Sequence, residues 1–372
     1  MKLAFCIFKY FPYGGLQRDF MRILKACLQR GYEIDVFVAD WQGDVLPEIN
    51  LRVLSVMGRT NHACMKNFAE QIKEQKKEHE YDLVVGFNKM AGLDVYFAGD
   101  ICLKAKLQQE KKFLSKVLPR YKQYLKLEKD IFGLGSRTKI LYLTPQQKKE
   151  FIECYHALPS RFYLVPAGIE KNILTVNQGR NIRYQSRNSL SVEETQLVLL
   201  FAATKFHNKG LDRALKALAF LNNKAVKLWV IGGDKKEKYL RLAEKLKVID
   251  QVNFLGSKNN LLDYMLAADL LIHPARVESA GMVLLEAITA GLPILTTEVC
   301  GYAFHILQAN AGEALNMPFK QAQFNKKLLQ MLDRKQLKAW GANAVAYAKN
   351  TDLYSMGETA AEIIDSMVSL KN

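Results

Sequence analysis

Apolar residues along this chain gather in short runs, separated by longer stretches with helical spacing. Leu3-Ala-Phe-Cys-Ile-Phe8 has no polar position and is too short for a core helix, so it predicts a buried strand. Pro12-Tyr-Gly14-Gly15 breaks the run, and a helix is predicted over about 16–29, closed by Gly31. Residues 33–39 read as the next strand, and similar runs recur at 83–87, 95–98, 140–144 and 162–165. The pattern then restarts with a strand at Leu197–Ala202, a helix at Leu211–Leu221, a strand at 227–231 and a helix at 239–247. Strands at 252–255, Leu270–His273 and Ile294–Thr297 complete a second set. Strands alternating with helices predict parallel, doubly wound sheets, so the fold class expected is α/β, with two similar Rossmann-like domains facing each other. The polar, poorly periodic stretch 170–194 is read as their connection, with a hinge near Pro166-Ala-Gly168, and a last helix is predicted over 355–368.

Composition narrows the class. The chain is 49% hydrophobic, which excludes a disordered protein, and its net charge of +16 points to an acidic partner: nucleic acid, anionic membrane or a phosphorylated substrate. The charge is spread and no nucleic-acid module is recognisable, so no nucleic-acid partner is expected. Cysteines 6, 27, 64, 102, 154 and 300 form no Cys-x-x-Cys and no metal spacing with His, which predicts inert thiols in a reducing cytoplasm and no bound metal. The N-terminus enters a strand directly and no run of about 18 apolar residues follows, so neither a signal peptide nor a membrane span is expected.

The candidate chemistry centres on Glu278-Ser-Ala-Gly-Met-Val-Leu-Leu-Glu286. A helix starting near Ser279 or Ala280 puts Glu278 in the preceding loop and Glu286 two turns inside, within roughly 80° of the same side. Amides around Ala280, Gly281, Met282 and Val283 then form an anion site at the helix start. A solvated helix face carries two glutamates equally well; the company they keep favours a site. Gly14-Gly15 lies in the first strand-to-helix loop, where backbone can approach a ligand. Lys209-Gly210 opens the helix Leu211–Leu221, where a lysine opposes the helix dipole unless an anion docks there; Lys205 and Arg213 add charge. Gly232-Gly233-Asp234 ends a strand and suits a nucleotide base, or is a plain tight turn. Asp100, past another strand, suits a substrate hydroxyl or the acceptor proton, or caps the next helix. Residues 103–132 hold nine Lys/Arg against three acids. Lys104, Lys106, Lys111, Lys112, Lys116, Arg120, Lys122 and Lys126, interleaved with Phe113 and Tyr121 among others, predict an interfacial helix for an anionic membrane, divided by Pro119.

Together these features resemble glycosyltransferase family 4, the retaining GT-B enzymes. The match runs through Lys9-Tyr-Phe-Pro-Tyr-Gly-Gly-Leu-Gln-Arg-Asp19, Gly86-Phe-Asn-Lys-Met90, Gly92-Leu-Asp-Val-Tyr-Phe-Ala98, Lys209-Gly210, Glu278-x7-Glu286, Gly291-Leu-Pro293 and Val299-Cys-Gly-Tyr-Ala303. It is nearest to members that build the lipopolysaccharide core. The resemblance implies transfer of glucose from UDP-glucose to a heptose of the lipid A-linked inner core, by an enzyme bound peripherally to the cytosolic face of the inner membrane. It implies Glu278 beside the donor sugar, Glu286 on the ribose, Lys209 on the diphosphate, and Gly14, Gly15 and Asp19 meeting the donor from the other domain. Many members carry Arg where this chain has Thr204, leaving Lys205 as a candidate second cation, and His where it has Asp100. A returning C-terminal helix gives expected domains of 1–167 plus about 352–372 for the acceptor and 168–351, with Gly232, for the donor. A family 4 transferase with another UDP-sugar, such as UDP-GalNAc, or another lipid-linked acceptor is the alternative; a basic nucleic-acid binder is a distant one.

Overall fold

The computed structural model describes residues 1–12, 14–109, 118–171 and 176–369. It divides into two compact units, Met1–Gly168 with Tyr354–Asn372, and Ile169–Leu353. In the first, the strands are β1 (Lys2–Cys6), β2 (Lys9–Tyr10), β3 (Glu33–Val38), β4 (Asp40–Trp41), β5 (Ile49–Val53), β6 (Leu83–Gly86), β7 (Val95–Phe97), β8 (Lys139–Tyr142) and β9 (Phe162–Leu164). Seven of them form a sheet in the order β5-β3-β1-β6-β7-β8-β9, and β2 and β4 form a separate pair. The second unit holds β10 (Leu197–Ala202), β11 (Val226–Ile231), β12 (Val252–Gly256), β13 (Leu270–His273), β14 (Ile294–Thr297) and β15 (Gly312–Leu315), in the order β12-β11-β10-β13-β14-β15.

Every pairing described is parallel, from Leu3 beside Ile34 and Leu83 to Leu199 beside Leu228 and Leu270. Helices cover both faces of such a sheet, which is why its strands are buried runs rather than alternating ones. Parallel order also gathers all strand carboxyl ends on one edge. In each unit the winding reverses beside the first strand, between β1 and β6 and between β10 and β13, the point at which open parallel sheets carry their ligands. The returning helix Met356–Ser369 packs on the helix Gly15–Gln29, with Arg30 paired to Asp365 at 2.7 Å and the Tyr32 hydroxyl on the same carboxylate.

The stretch 170–194 departs from its sequence reading, for Val176–Ser189 is a helix. Its apolar periodicity is weak because arginines dock it. Arg183 donates to the Ala267 and Ala268 carbonyls at 2.9 and 3.0 Å and to Asp269 at 2.7 Å, at the end of the helix Leu261–Ala267. Arg187, 1% exposed, donates to the carbonyls of Ala267, Glu193 and Gln196 and pairs with Asp269 at 3.3 Å. Cations at a helix carboxyl end are favoured by its dipole, and buried carbonyls need the donors. Among the described residues, no helix is long and apolar enough to cross a membrane.

Replacing Arg187 by Met is expected to cost about 3 kcal/mol, since it takes a buried donor from the Glu193 and Gln196 carbonyls, whereas Asp269 and the Ala267 carbonyl keep Arg183. Replacing the more exposed Arg183 should cost less than half of that. Urea unfolding measures both, and equal losses would contradict a burial-controlled difference.

Candidate active site

The second unit brings two side chains from neighbouring strand ends, Lys209 and His273, onto one carboxylate. Glu278 lies five residues past the end of β13, and its Oε2 sits 2.7 Å from Lys209 Nζ and 3.3 Å from His273 Nε2. Its Oε1 accepts the Ser279 amide at 3.2 Å. Lys209 also donates to the Val277 carbonyl at 3.1 Å. Burial raises the Glu278 pKa, but the His273 hydrogen bond and the Lys209 charge outweigh it and bring the carboxyl down from an ordinary 4.5 to about 2. The loop behind the cluster is pinned: Gly301 donates to Ser279 O at 3.2 Å, Tyr302 to Ala280 O at 2.7 Å, and Cys300 Sγ lies 3.3 Å from the Thr296 hydroxyl. Burial, reinforced by the Glu278 charge, pushes the Cys300 thiol up to about 12, so it stays protonated.

The local chain differs from its sequence reading in three respects. Lys209 does not open a helix but ends the short turn Phe206–Lys209, and Gly210, with φ of 79°, starts Leu211–Leu221. That glycine is required, since a Cβ there would lie 2.1 Å from the Pro274 carbonyl oxygen. The helix of the glutamate pair begins at Met282, capped by Gly281, rather than at residues 279–280. A left-handed Gly281, φ 92°, turns the chain before helical geometry can begin. Glu286 is therefore the fifth helical residue, one turn inside rather than two. Leu284, Leu285, Ala287 and Ile288 are buried, whereas Met282, Val283 and Glu286 share the half-buried face, and Ala280 lies buried before them.

A cavity of about 370 Å³ opens at the carboxyl ends of β11 and β12, lined by Phe206, Gly232, Asp234, Glu237, Phe254 and Gly256 among others. Gly232 serves packing first: a Cβ would meet the Ala203 carbonyl oxygen at 1.9 Å. Asp234 ties the loops after β10 and β11 together, accepting the Phe206 and Lys235 amides at 2.8 and 2.9 Å. Thr204 and Lys205 are exposed at the end of β10. Arg213 adds no free charge, because it donates to the Pro274 and Ala275 carbonyls, both at 3.1 Å, and stacks on Phe319.

In the first unit, Gly14 precedes the helix Gly15–Gln29 and packs against Gln17, whose amide donates to Lys9 O at 2.9 Å. Asp19 faces inward. It is 5% exposed and 3.0 Å from Arg22, and burial outweighs the nearby arginines to raise its carboxyl to about 6. Asp100 is exposed and does not cap the following helix. Glu128 does so instead, accepting the amides of Leu103 and Lys104 at 2.7 and 3.2 Å while pairing with Lys89 at 2.6 Å. Lys89 and Gln147 shape the Asp100 loop by donating to the carbonyls of Ile101 and Asp100, each at 3.0 Å.

The basic segment forms the helices Leu103–Gln109 and Pro119–Phe132, with the proline at the first helical position of the second. Lys104 turns inward to the Cys154 carbonyl and over the Tyr155 ring, and Lys106 and Tyr121 are half-buried. Arg120, Lys122 and Lys126 are exposed, while Lys111, Lys112, Phe113 and Lys116 lie outside the described residues.

Comparison with known proteins fits this geometry. The family model for group 1 glycosyl transferases matches residues 183–346, which contain Lys209, His273, Glu278 and Glu286. Over 368 residues, 98% of each chain, this protein is 45% identical to lipopolysaccharide glucosyltransferase WaaG of Escherichia coli (strain K12). The chain belongs to the group 1 glycosyl transferases. This glycosyltransferase has the GT-B fold: the crystal structure of WaaG superposes with a TM-score of 0.91 at 44% identity, covering 97% of this chain and 99% of that one. The UDP-glucose complex of Anabaena Alr3699/HepE shares the fold alone, with a TM-score of 0.74 at 17% identity over 98% of this chain and all of that one.

His273 escaped the sequence reading. It closes an apolar strand run and looks like a core residue; its place at a strand's carboxyl end, five residues before Glu278, was the available signal.

The depressed Glu278 pKa adds stability that is complete above pH 4.5 and is lost as pH falls through about 2. Lys209→Met should move that titration upward, toward 4.5, in carbon-detected NMR of the carboxyl groups. An unmoved titration would show that the ammonium does not hold the carboxylate.

Proposed function

We propose that this glycosyltransferase moves glucose from UDP-glucose to a heptose of the lipopolysaccharide inner core, with retention of anomeric configuration. The observation that carries the reading is the Lys209–Glu278 pair at the carboxyl edge of the second sheet, in a chain 45% identical to an enzyme named lipopolysaccharide glucosyltransferase. Without donor, the ammonium neutralises Glu278. A diphosphate offers it a more highly charged acceptor, and Lys209 then offsets the charge that builds on departing UDP. Glu278 lies by the sugar and stabilises its oxocarbenium character, while Glu286, on the outer face with Met282 and Val283, takes the ribose. Lys205 with Thr204 supplies a second phosphate contact, and the cavity beside Phe206 and Gly232 takes the base. In the first unit, Asp100, exposed beyond β7, suits the acceptor hydroxyl, the Gly14-Gly15 backbone suits close approach of a ligand, and Asp19 acts indirectly, through Arg22. No step in this scheme draws on a metal ion.

We also assign the acceptor as lipid-linked and the working place as the anionic cytosolic face of the inner membrane. Arg120, Lys122 and Lys126, exposed along one helix, support that assignment. Each cation near such a surface is worth about 1 kcal/mol, roughly a fivefold effect on partitioning.

Glu278→Gln is expected to lower turnover by about 10²- to 10³-fold while the protein, though less stable, still folds and still binds UDP. Near-normal turnover would remove Glu278 from the chemistry. Assayed by mass spectrometry against heptose-bearing core, a panel of nucleotide sugars including UDP-GalNAc should show UDP-glucose fastest; a different winner would overturn the donor assignment. Lys122→Gln with Lys126→Gln should weaken binding to anionic vesicles about 25-fold while sparing activity on a soluble acceptor. Unchanged partitioning would contradict the membrane assignment.

A further inference from the structure

His273 is built into the site more rigidly than either charged residue it adjoins. It ends β13, its ring is 1% exposed, and its backbone carbonyl accepts the Thr296 hydroxyl of β14 at 2.9 Å. The ring lies nearly parallel to Phe201 of β10, at 25° and 6.4 Å between centroids. Nε2 faces Glu278 Oε2 at 3.3 Å, whereas Nδ1 is buried with no hydrogen-bond partner.

That asymmetry selects the tautomer. With the hydrogen on Nε2, the ring donates to a carboxylate and leaves only an acceptor lone pair unused at Nδ1. With the hydrogen on Nδ1, an N–H donor is buried without an acceptor, and a lone pair points at the carboxylate oxygen. The second arrangement costs a stranded donor and an electrostatic repulsion together. His273 therefore donates through Nε2.

Glu278 Oε2 thus has two donors of different character. Lys209 is a charge on a flexible four-carbon stem, and its side chain is 17% exposed. His273 is a fixed donor in a strand end and has nowhere else to turn. The Cys300 thiol, which also feels the carboxylate, stays protonated.

We infer that His273 is a positioning residue, holding Glu278 in place and ionised after Lys209 has turned to the donor's diphosphate. This rests on the donor-site reading above. No covalent step is assigned to the imidazole; it keeps its hydrogen throughout and acts only through Glu278.

The test uses the full-length enzyme with UDP-glucose and heptose-bearing core. His273→Leu removes the donor, His273→Asn keeps polarity but falls short of Glu278, and His273→Gln places an amide N–H near the original Nε2. The Leu and Asn variants should lose about 10- to 100-fold in kcat, the range expected for one hydrogen bond to a charged group. Their KM for donor and their UDP affinity should stay within about twofold, because the diphosphate contacts are untouched. Their acidic limb of kcat should move to higher pH, since a carboxyl that loses a donor protonates more readily. The Gln variant should recover most of kcat and return the limb toward its original position.

Wild-type kcat with an unmoved acidic limb in the Leu or Asn variant would overturn the inference. So would a Gln variant as impaired as the Leu variant, with UDP affinity and melting temperature falling together, since that marks a merely structural ring. If the Leu variant does not fold, the Asn and Gln pair decides alone. Glu278→Gln, run beside them, separates the two failures. Its full activity would overturn the donor-site reading and this one with it. An inactive Glu278→Gln beside a fully active His273 variant would overturn only the role of His273.

Discussion

A carboxylate enclosed at the edge of a parallel sheet must be compensated or lose its charge, and the second unit of this protein is arranged around that requirement at Glu278. Burial alone would drive the group toward its neutral form. Lys209 and His273 reverse the balance, and the carboxyl ends near 2. Each donor arrives on a different strand: Lys209 from the loop after β10, His273 at the end of β13. Those strands are neighbours at the point where the winding reverses, so the pairing follows from topology rather than from sequence proximity. Gly210, which admits the Pro274 carbonyl, is what lets the two loops close on each other.

The pairing is also a reason for restraint in reading charge as binding capacity. Lys209 is committed to Glu278, Arg213 to two carbonyls and Phe319, and Lys104 to Cys154 and Tyr155. Among the described residues singled out for positive charge, Lys205, Arg120, Lys122 and Lys126 are the exposed ones. In the proposed scheme an anionic donor meets a site that is balanced beforehand, and binding proceeds by exchange of partners. Such exchange favours ligands with more charge than a carboxylate, which is a physical basis for selecting a diphosphate.

Much of the fold was legible because burial on both faces leaves unmistakable apolar runs, as at Leu3-Ala-Phe-Cys-Ile-Phe8 and Leu197–Ala202. Polar packing hid the rest. The helix Val176–Ser189 is attached through Arg183 and Arg187, so its inward face reads as solvent-facing. Glu128, counted among the few acids of a basic segment, proves to be fully buried and to cap a neighbouring helix. In the site, residue types and spacing pointed to Lys209 and Glu278, but not to their contact with each other. His273 was passed over because a histidine closing an apolar strand run reads as core, and only its place at the strand's carboxyl end marked it. The helix start at Gly281 was misplaced, and the short turn ending at Lys209 was missed, for a related reason: a left-handed glycine can end one turn and begin another within two residues.

In the proposed scheme Lys209 leaves Glu278 for the diphosphate of the donor while the carboxylate stays where it is. A crystal structure of the enzyme with a non-hydrolysable UDP-glucose analogue tests it most directly. The account predicts the Lys209 ammonium within hydrogen-bonding distance of a diphosphate oxygen, with Glu278 still on His273 and beside the sugar. A complex in which Lys209 remains on Glu278 and the diphosphate is held by other groups would contradict it.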